Sequence, residues 1–369
     1  MSNLKQKIAR FNTLPYTRDE YKKRNWGHKL HSLCSYPSKL KPCIANILVN
    51  YFSKEGDVVL DPFSGSGTVV FEACNSGRIG IAVDLSPFAY RLSSAKTNVP
   101  SKKQMLQAIK QLDAYILANS KKIPIENIDK EIKSFYHIKT LKEIVCAKRF
   151  CLENPQKIET NVIHFLWSAI AHLLHGNRPY ALSRRSHNII PIPPKGDAIY
   201  KSLIVSLKSK IERIYEPLDE KYTIGKAFCA SAFDLPVSDS SIDVIITSPP
   251  FLGTTDFLRH NRVRLWFAGW DISYQKTKKD DFLESKKTMD IYSELLTEFY
   301  RVLRPHSLLI FHLGVVKNVD MAKEISSLSK KAGFRTEDII YEDVTRLESH
   351  GRTDRGSTHK HQFLFLSKH

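Results

Sequence analysis

Between residues 39 and 53, KLKPCIANILVNYFS, apolar side chains stand at 40, 44, 47, 48, 51 and 52. That spacing returns to one face every three or four residues and predicts a helix. EGD breaks it, and VVLDPF then reads as a buried strand ending at Phe63. SGSGT is a glycine turn, VVFEACNSG a helix closed by Gly77, and IGIAVDL, 79–85, a second strand. SPFAYRLSSAKTN opens with Ser86 as N-cap and Pro87 at the first helical position. Strand, helix, strand, helix in that order predicts a parallel, doubly wound sheet.

The alternation then stops. Residues 98–225 are mostly helical in texture, with helices expected at 102–119, 131–149, 158–175 and 197–215. Between the last two, HGNRPYALSRRSHNIIPIPPKGD has the composition of a loop. Strand patterns resume in GKAFCASAF and IDVIITSPPF. MDIYSELLTEFYRVL, 289–303, reads as a helix, LLIFHLG as a strand, DMAKEISSLSKKAG as a helix closed by Gly333, and EDIIYEDV and QFLFLSK as the last two strands. The expected fold is thus α/β, a seven-stranded, mostly parallel sheet in two segments, 1–97 and 226–369, interrupted after its second strand by a helical insertion. A structureless loop of about 125 residues is implausible inside a compact domain, so the insertion should be a subdomain.

Composition narrows the class. Apolar content of 42% and charged content of 25% are those of a globular protein. No apolar run approaches the ~18 residues of a membrane span, and the polar, basic N-terminus lacks a secretory core. Six cysteines form no Cys-x-x-Cys pair and no zinc spacing. No metal is expected, and HKH at 359–361 reads as a solvated tail; reduced thiols suit the cytoplasm. The net charge of +18 excludes little by itself, but it favours a polyanionic partner, nucleic acid first.

Candidate chemistry gathers at strand ends. Gly65 and Gly67 follow a strand and open a helix, where the backbone approaches a ligand and free N–H groups face it. Asp84 ends the next strand about 20 residues later, the place of an acid that binds a ribose. Asp61 and the stretch IITSPPF also fall at strand carboxyl ends, where ligands bind in such sheets. Proline halts a central strand, so Ser248, Pro249, Pro250 and Phe251 are delivered to one rigid spot.

DPFSGSGT and TSPPF together resemble the S-adenosylmethionine-dependent amino-methyltransferases of DNA, in the form linked to N4 of cytosine; adenine-N6 members usually carry Asp or Asn in place of the serine. YPSKLKP, GRIGIAVDLSPFA, NRVRLWF and RVLRP are similar to further stretches of that family, over roughly 1–97 and 226–369. The resemblance implies a class I, Rossmann-like methyltransferase fold with S-adenosylmethionine as cofactor. It implies that Gly65, Gly67 and Thr68 line the methionine part, that Asp61 holds its amino group and Asp84 its ribose. Tyr36 of the cofactor-tail motif, Phe63, Ser231 and Ala232 complete the expected cofactor wall. Ser231 stands where the resemblance calls for an acid near the adenine. The cofactor motif precedes the catalytic one, which leaves 98–225 as the expected target-recognition region.

The catalytic reading gives Ser248 and the Pro249 carbonyl the task of accepting from the hydrogens of a cytosine amine whose lone pair is delocalised. Phe251 would stack on the base, which must first leave the duplex. Double-stranded DNA is the expected partner, within a restriction–modification system whose endonuclease is a separate chain. Arg178, Arg184 and Arg185 in the insertion, Arg262 after the catalytic motif, and Arg352, Arg355 and Lys360 near the last strand are the expected phosphate or base contacts. For the insertion arginines a solvated loop stays open as the alternative, and for Arg262 and its neighbour Arg264 ion pairs on an amphipathic helix. An adenine-N6 enzyme, an RNA amino-methyltransferase and a DNA-binding protein on a dead methyltransferase scaffold are the rival functions.

Overall fold

A computed structural model of the chain describes residues 2–23, 26–176, 178–184, 191, 197–251, 256–286, 288–316, 319–343 and 358–369. Its strands are β1 (Val58–Asp61), β2 (Ile79–Asp84), β3 (Lys226–Cys229), β4 (Ile242–Thr247), β5 (Leu303–Val316), β6 (Val319–Asp320), β7 (Phe334–Asp343) and β8 (Thr358–Lys368). They form one sheet in the order β3-β2-β1-β4-β5-β8-β7, with β6 a two-residue addition on β5. The first five run parallel, and β8 is antiparallel to both β5 and β7. The expected doubly wound, Rossmann-like, mostly parallel sheet is therefore present, with one strand more among the described residues than the hydrophobic pattern predicts. Strand order reverses between β1 and β4, which opens a crevice at their carboxyl ends.

The helices are α1 (Ser2–Phe11), α2 (Pro42–Phe52), α3 (Thr68–Asn75), α4 (Pro87–Thr97), α5 (Lys102–Asn119), α6 (Lys130–Ser134), α7 (Ile138–Glu153), α8 (Thr160–Leu174), α9 (Leu203–Ile214), α10 (Phe257–Phe267), α11 (Ile272–Thr277), α12 (Ile291–Val302) and α13 (Met321–Ser329). Strand alternation sorts the sheet's side chains into two cores. Leu60, Ile245, Leu309, Phe311 and Leu364 pack with α12 and α13. Their neighbours Val59, Val244, Ile246, Ile310 and Phe363 pack with α1 and α2. The N-terminal segment, unremarked by its polar composition, is amphipathic: Ile8 and Phe11 are buried, and Phe11 meets Phe363 edge-on at 4.9 Å.

The insertion's helices fall close to the predicted spans, except that the second is split into α6 and α7 by Phe135, Tyr136 and His137. They share one apolar cluster with the helices of the sheet domain rather than closing a core of their own. Every residue of α8 from Val162 to Leu174 is buried. A helix apolar all round needs cover on all sides. Trp167 obtains it from Phe88 of α4 at 5.8 Å and Phe267 of α10 at 5.5 Å. The 98–225 segment is thus a further layer on α4, joined to the segment that follows the catalytic motif.

Candidate active site

The glycine turn is held from below by α4. The Ser64 and Ser93 hydroxyls stand 3.0 Å apart, and Lys96 Nζ donates to the Ser66 carbonyl at 2.6 Å. Burial, then the nearby Lys39, pulls the Lys96 ammonium down to about 7. Gly65 has φ +48° and Gly67 φ +67°, conformations that favour glycine. A Cβ on Gly65 would stand 3.0 Å from the Tyr36 ring, and one on Gly67 only 2.9 Å from the Ser93 Cα. The two glycines thus serve different ends. Gly65 lines a cavity of about 470 Å3, whereas Gly67 is outside its wall and lets α4 approach.

That cavity brings together Tyr36, Asp61, Phe63, Gly65, Thr68, Asp84, Ser231 and Ala232 with Ser248, Pro249, Pro250 and Phe251. Asp84 accepts from Gly65 N at 2.8 Å and Ser86 N at 2.9 Å, one bond per carboxylate oxygen. Asp61 accepts from Thr247 Oγ1 at 2.7 Å and Phe63 N at 3.2 Å, both on Oδ1. Each carboxylate has about four acceptor positions, so both keep acceptor capacity beyond these bonds. Burial pushes the Asp61 carboxyl up to about 7 and the Asp84 carboxyl up to about 6. Ser231, in the place expected of an acid, accepts from Phe233 N at 3.2 Å and lines the cavity.

The end of β4 divides its work between adjacent residues. Thr247 turns to Asp61, and Ser248 Oγ lies 3.1 Å from His312 Nδ1 on β5. β4 is central, paired to β1 and β5, so the prolines follow an interior strand of the sheet. Among the wall residues that escape the sequence reading are His312, His361, Phe282 and Glu284. His312 had a legible signal, a lone polar residue in the apolar run LLIFHLG at a strand's carboxyl end. Glu284 had none; its Oε2 is buried without a hydrogen-bond partner among the described residues, and burial pushes its carboxyl up to about 7. HKH is not a tail: it enters β8, and His361 lines the cavity.

The expected DNA contacts are less uniform. Arg178 is exposed, donating to Tyr180 OH at 2.6 Å, with His172 Nε2 at 3.2 Å. Ser35 N donates to His172 Nδ1 at 3.2 Å, which ties this cluster to the residue before Tyr36. Arg184 is half-buried, its backbone bonded to Phe135. Arg262 is already engaged by Glu131 and the Pro191 carbonyl. Arg264 is buried, with bonds to Ala171, Asn261 and Ser35. These two arginines carry the ion-pair and core roles rather than free charge. Lys360 is exposed on β8, one residue from His361 and so on the opposite face of the sheet. Arg185, Arg352 and Arg355 lie outside the described residues.

Residues 6–95 match the family model described as DNA methylase, that of the N6/N4 methyltransferases. Residues 6–95 are thus similar to that family. The match leaves the N4 and N6 types undivided. The chain is 26% identical over 134 residues to the Type II methyltransferase M.MjaII of Methanocaldococcus jannaschii, covering 36% of this chain and 24% of that protein. It is 22% identical over 277 residues to the Type II methyltransferase M.BsoBI of Geobacillus stearothermophilus, covering 67% of this chain and 54% of that one. It therefore spans a quarter to about half of these curated relatives. A solved S-adenosylmethionine-dependent methyltransferase of Methanosarcina mazei aligns over 91% of this chain and 98% of its own, at 11% identity and a TM-score of 0.38. The match to this family indicates S-adenosylmethionine as the cofactor. The cavity fits such a molecule: its volume lies in the usual ligand range, and acids with spare acceptors face a glycine turn.

Proposed function

We propose that the protein methylates the exocyclic N4 amine of cytosine in a base flipped out of double-stranded DNA, at a specific site and as part of a restriction–modification system. The observation that carries this reading is that the glycine turn with its acids and the Ser-Pro-Pro-Phe segment line one cavity. Asp84 would take the ribose hydroxyls and Asp61 the amino group of the methionine part. Gly65 and Thr68 would line that part, with Tyr36, Phe63, Ser231 and Ala232 around the remainder. When bound, the cofactor supplies an electrophilic methyl group.

The chain's own residues do the rest. Ser248 Oγ and the Pro249 carbonyl accept from the amine hydrogens and draw the nitrogen toward tetrahedral geometry. The prolines fix those acceptors before the base arrives, the kind of preorganisation that lowers a barrier. Phe251 stacks on the base. Ser248, in place of the Asp or Asn usual in adenine-directed relatives, supports cytosine over adenine. The insertion, layered on α4 with exposed Arg178, would choose the sequence. The test is mass spectrometry of nucleosides from DNA treated with protein and methyl-labelled cofactor. Label in N4-methylcytosine is expected. Label in N6-methyladenine would overturn the base assignment, label only in RNA the substrate class, and no label with intact cofactor binding the enzymatic reading.

A further inference from the structure

His312 stands on β5 beside the carboxyl end of β4, with Nδ1 3.1 Å from Ser248 Oγ and Nε2 buried without a partner among the described residues. Its ring packs against two residues of the neighbouring strand β8, His361, edge-on at 4.9 Å, and Phe363 at 5.0 Å. These contacts restrict the ring on the β8 side and favour the line from Nδ1 to the serine. We propose that His312 is the positioning residue of methyl transfer, holding the Ser248 hydroxyl proton and taking it over as the amine gives up its own. The inference rests on the catalytic reading of Ser248.

A serine hydroxyl has one hydrogen and two lone pairs. When it donates to Nδ1, its hydrogen is turned away from the amine and its lone pairs stay open to the amine hydrogen that the Pro249 carbonyl does not take. In the other tautomer Nδ1–H donates, and the serine hydrogen turns toward the amine, itself a donor. Burial, with His361 and Lys41 adding to it, holds the imidazole well below its ordinary range, so the ring is neutral with a free acceptor at neutral pH. The amine arrives with two N–H bonds and leaves with one. The proton balance closes through this pair: an amine N–H breaks as an O–H forms on Ser248, and the serine's first O–H breaks as N–H forms on His312 Nδ1. A weak base suffices, because an aromatic amine carrying a new methyl group and a positive charge is a far stronger acid than imidazolium. The proton returns through Ser248 to water once the methylated base has left.

The test has two parts. Long-range 1H–15N spectra of the wild-type protein report the tautomer without any turnover: protonated Nε2 with Nδ1 accepting is expected, and protonated Nδ1 would overturn the proposal. Single-turnover methylation of DNA is then compared for wild type, His312→Asn, Ser248→Ala and the double variant. Asn keeps an acceptor near Nδ1 but cannot take a proton. His312→Asn should slow transfer 10-fold or more, with KM for DNA and cofactor affinity within about 3-fold, and should add little to Ser248→Ala because the two act through one hydrogen bond. A His312→Asn rate within 2-fold of wild type, or losses that multiply in the double variant, would overturn it. A wild-type protein that transfers no label refutes the proposed function instead, and the tautomer measurement still stands.

Discussion

The carboxylates at the strand ends and the arginines around the insertion are held in opposite ways. Asp61 is buried and Asp84 half-buried; each takes one hydrogen bond from its own loop and one from a neighbouring strand end, and each keeps acceptor capacity in the cavity wall. Arg262 and Arg264 come just after the catalytic motif and look free in the sequence, yet Glu131 engages one and three partners within the fold engage the other. Arg178, in a loop of the insertion, is exposed and, among the described residues, leans on Tyr180 and His172. The difference teaches that nearness to a motif in sequence does not make a charge available. In the cavity, unspent hydrogen-bonding capacity is what a ligand could use; around the insertion, exposed charge is what a polyanion could use.

Ser248→Ala gives the sharpest test of this contrast. Removing one preorganised polar contact should cost about 10²–10³ in single-turnover rate, with cofactor affinity by calorimetry unchanged. Equal losses of rate and cofactor affinity would place Ser248 in the cofactor wall instead. Gly67→Ala comes next. With φ +67° and a Cβ 2.9 Å from the Ser93 backbone, it should destabilise the fold by about 1–3 kcal/mol in urea melts. Gly56→Ala, with φ +85° and nothing within 4 Å, should cost less, because only the backbone is strained.

Asp84→Asn should weaken S-adenosylmethionine by about 1–3 kcal/mol, the cost of losing charged hydrogen bonds. The acids also predict the sign of the pH dependence. Burial raises the Asp84 carboxyl to about 6 and the Asp61 carboxyl to about 7, above the ordinary carboxylate range. Between that range and 7 these two acids bind more protons in the folded state than in the unfolded one. Their own contribution to the stability of the ligand-free fold, read as the difference between wild type and Asp84→Asn, should therefore grow as pH falls from 7.5 to 5. The buried His31, His164, His172 and His312, held below their ordinary range, act the other way. Cofactor affinity should fall over the same interval, because ionised acceptors are lost. Calorimetry at the two pH values checks both, and Asp84→Asn should flatten the affinity profile.

The smallest effect separates the arginines. Arg178→Ala should flatten the salt dependence of DNA binding by about one unit of slope, if it neutralises one phosphate. Arg262→Ala should leave that slope alone and lower the melting temperature, since it strips Glu131 of its partner. The reverse pattern would dissolve the distinction drawn between the two regions.

Much of this was legible in one sequence because local pattern carries it. Strand periodicity, the Ser86–Pro87 helix start, the glycine turn and the order of strands and helices are dictated by residues close along the chain. The helix at 2–11 escaped because Leu4, Ile8 and Phe11 are sparse among charged neighbours, and its partner Phe363 lies at the other end of the chain. Glu284 and His361 escaped for a related reason: neither sits in a motif, and only tertiary packing brings them to the cavity.

The sequence by itself determined that a doubly wound sheet would carry two acids, a glycine turn and Ser-Pro-Pro-Phe to the carboxyl ends of its strands. Its periodicities and turn residues act within a few positions of one another. Tertiary structure alone decided that Gly67 serves helix packing rather than the cavity, that Arg262 and Arg264 are spent, and that His312 reaches Ser248. Each of those outcomes depends on contacts between segments 26 to 229 residues apart, and no local pattern records which of them will meet.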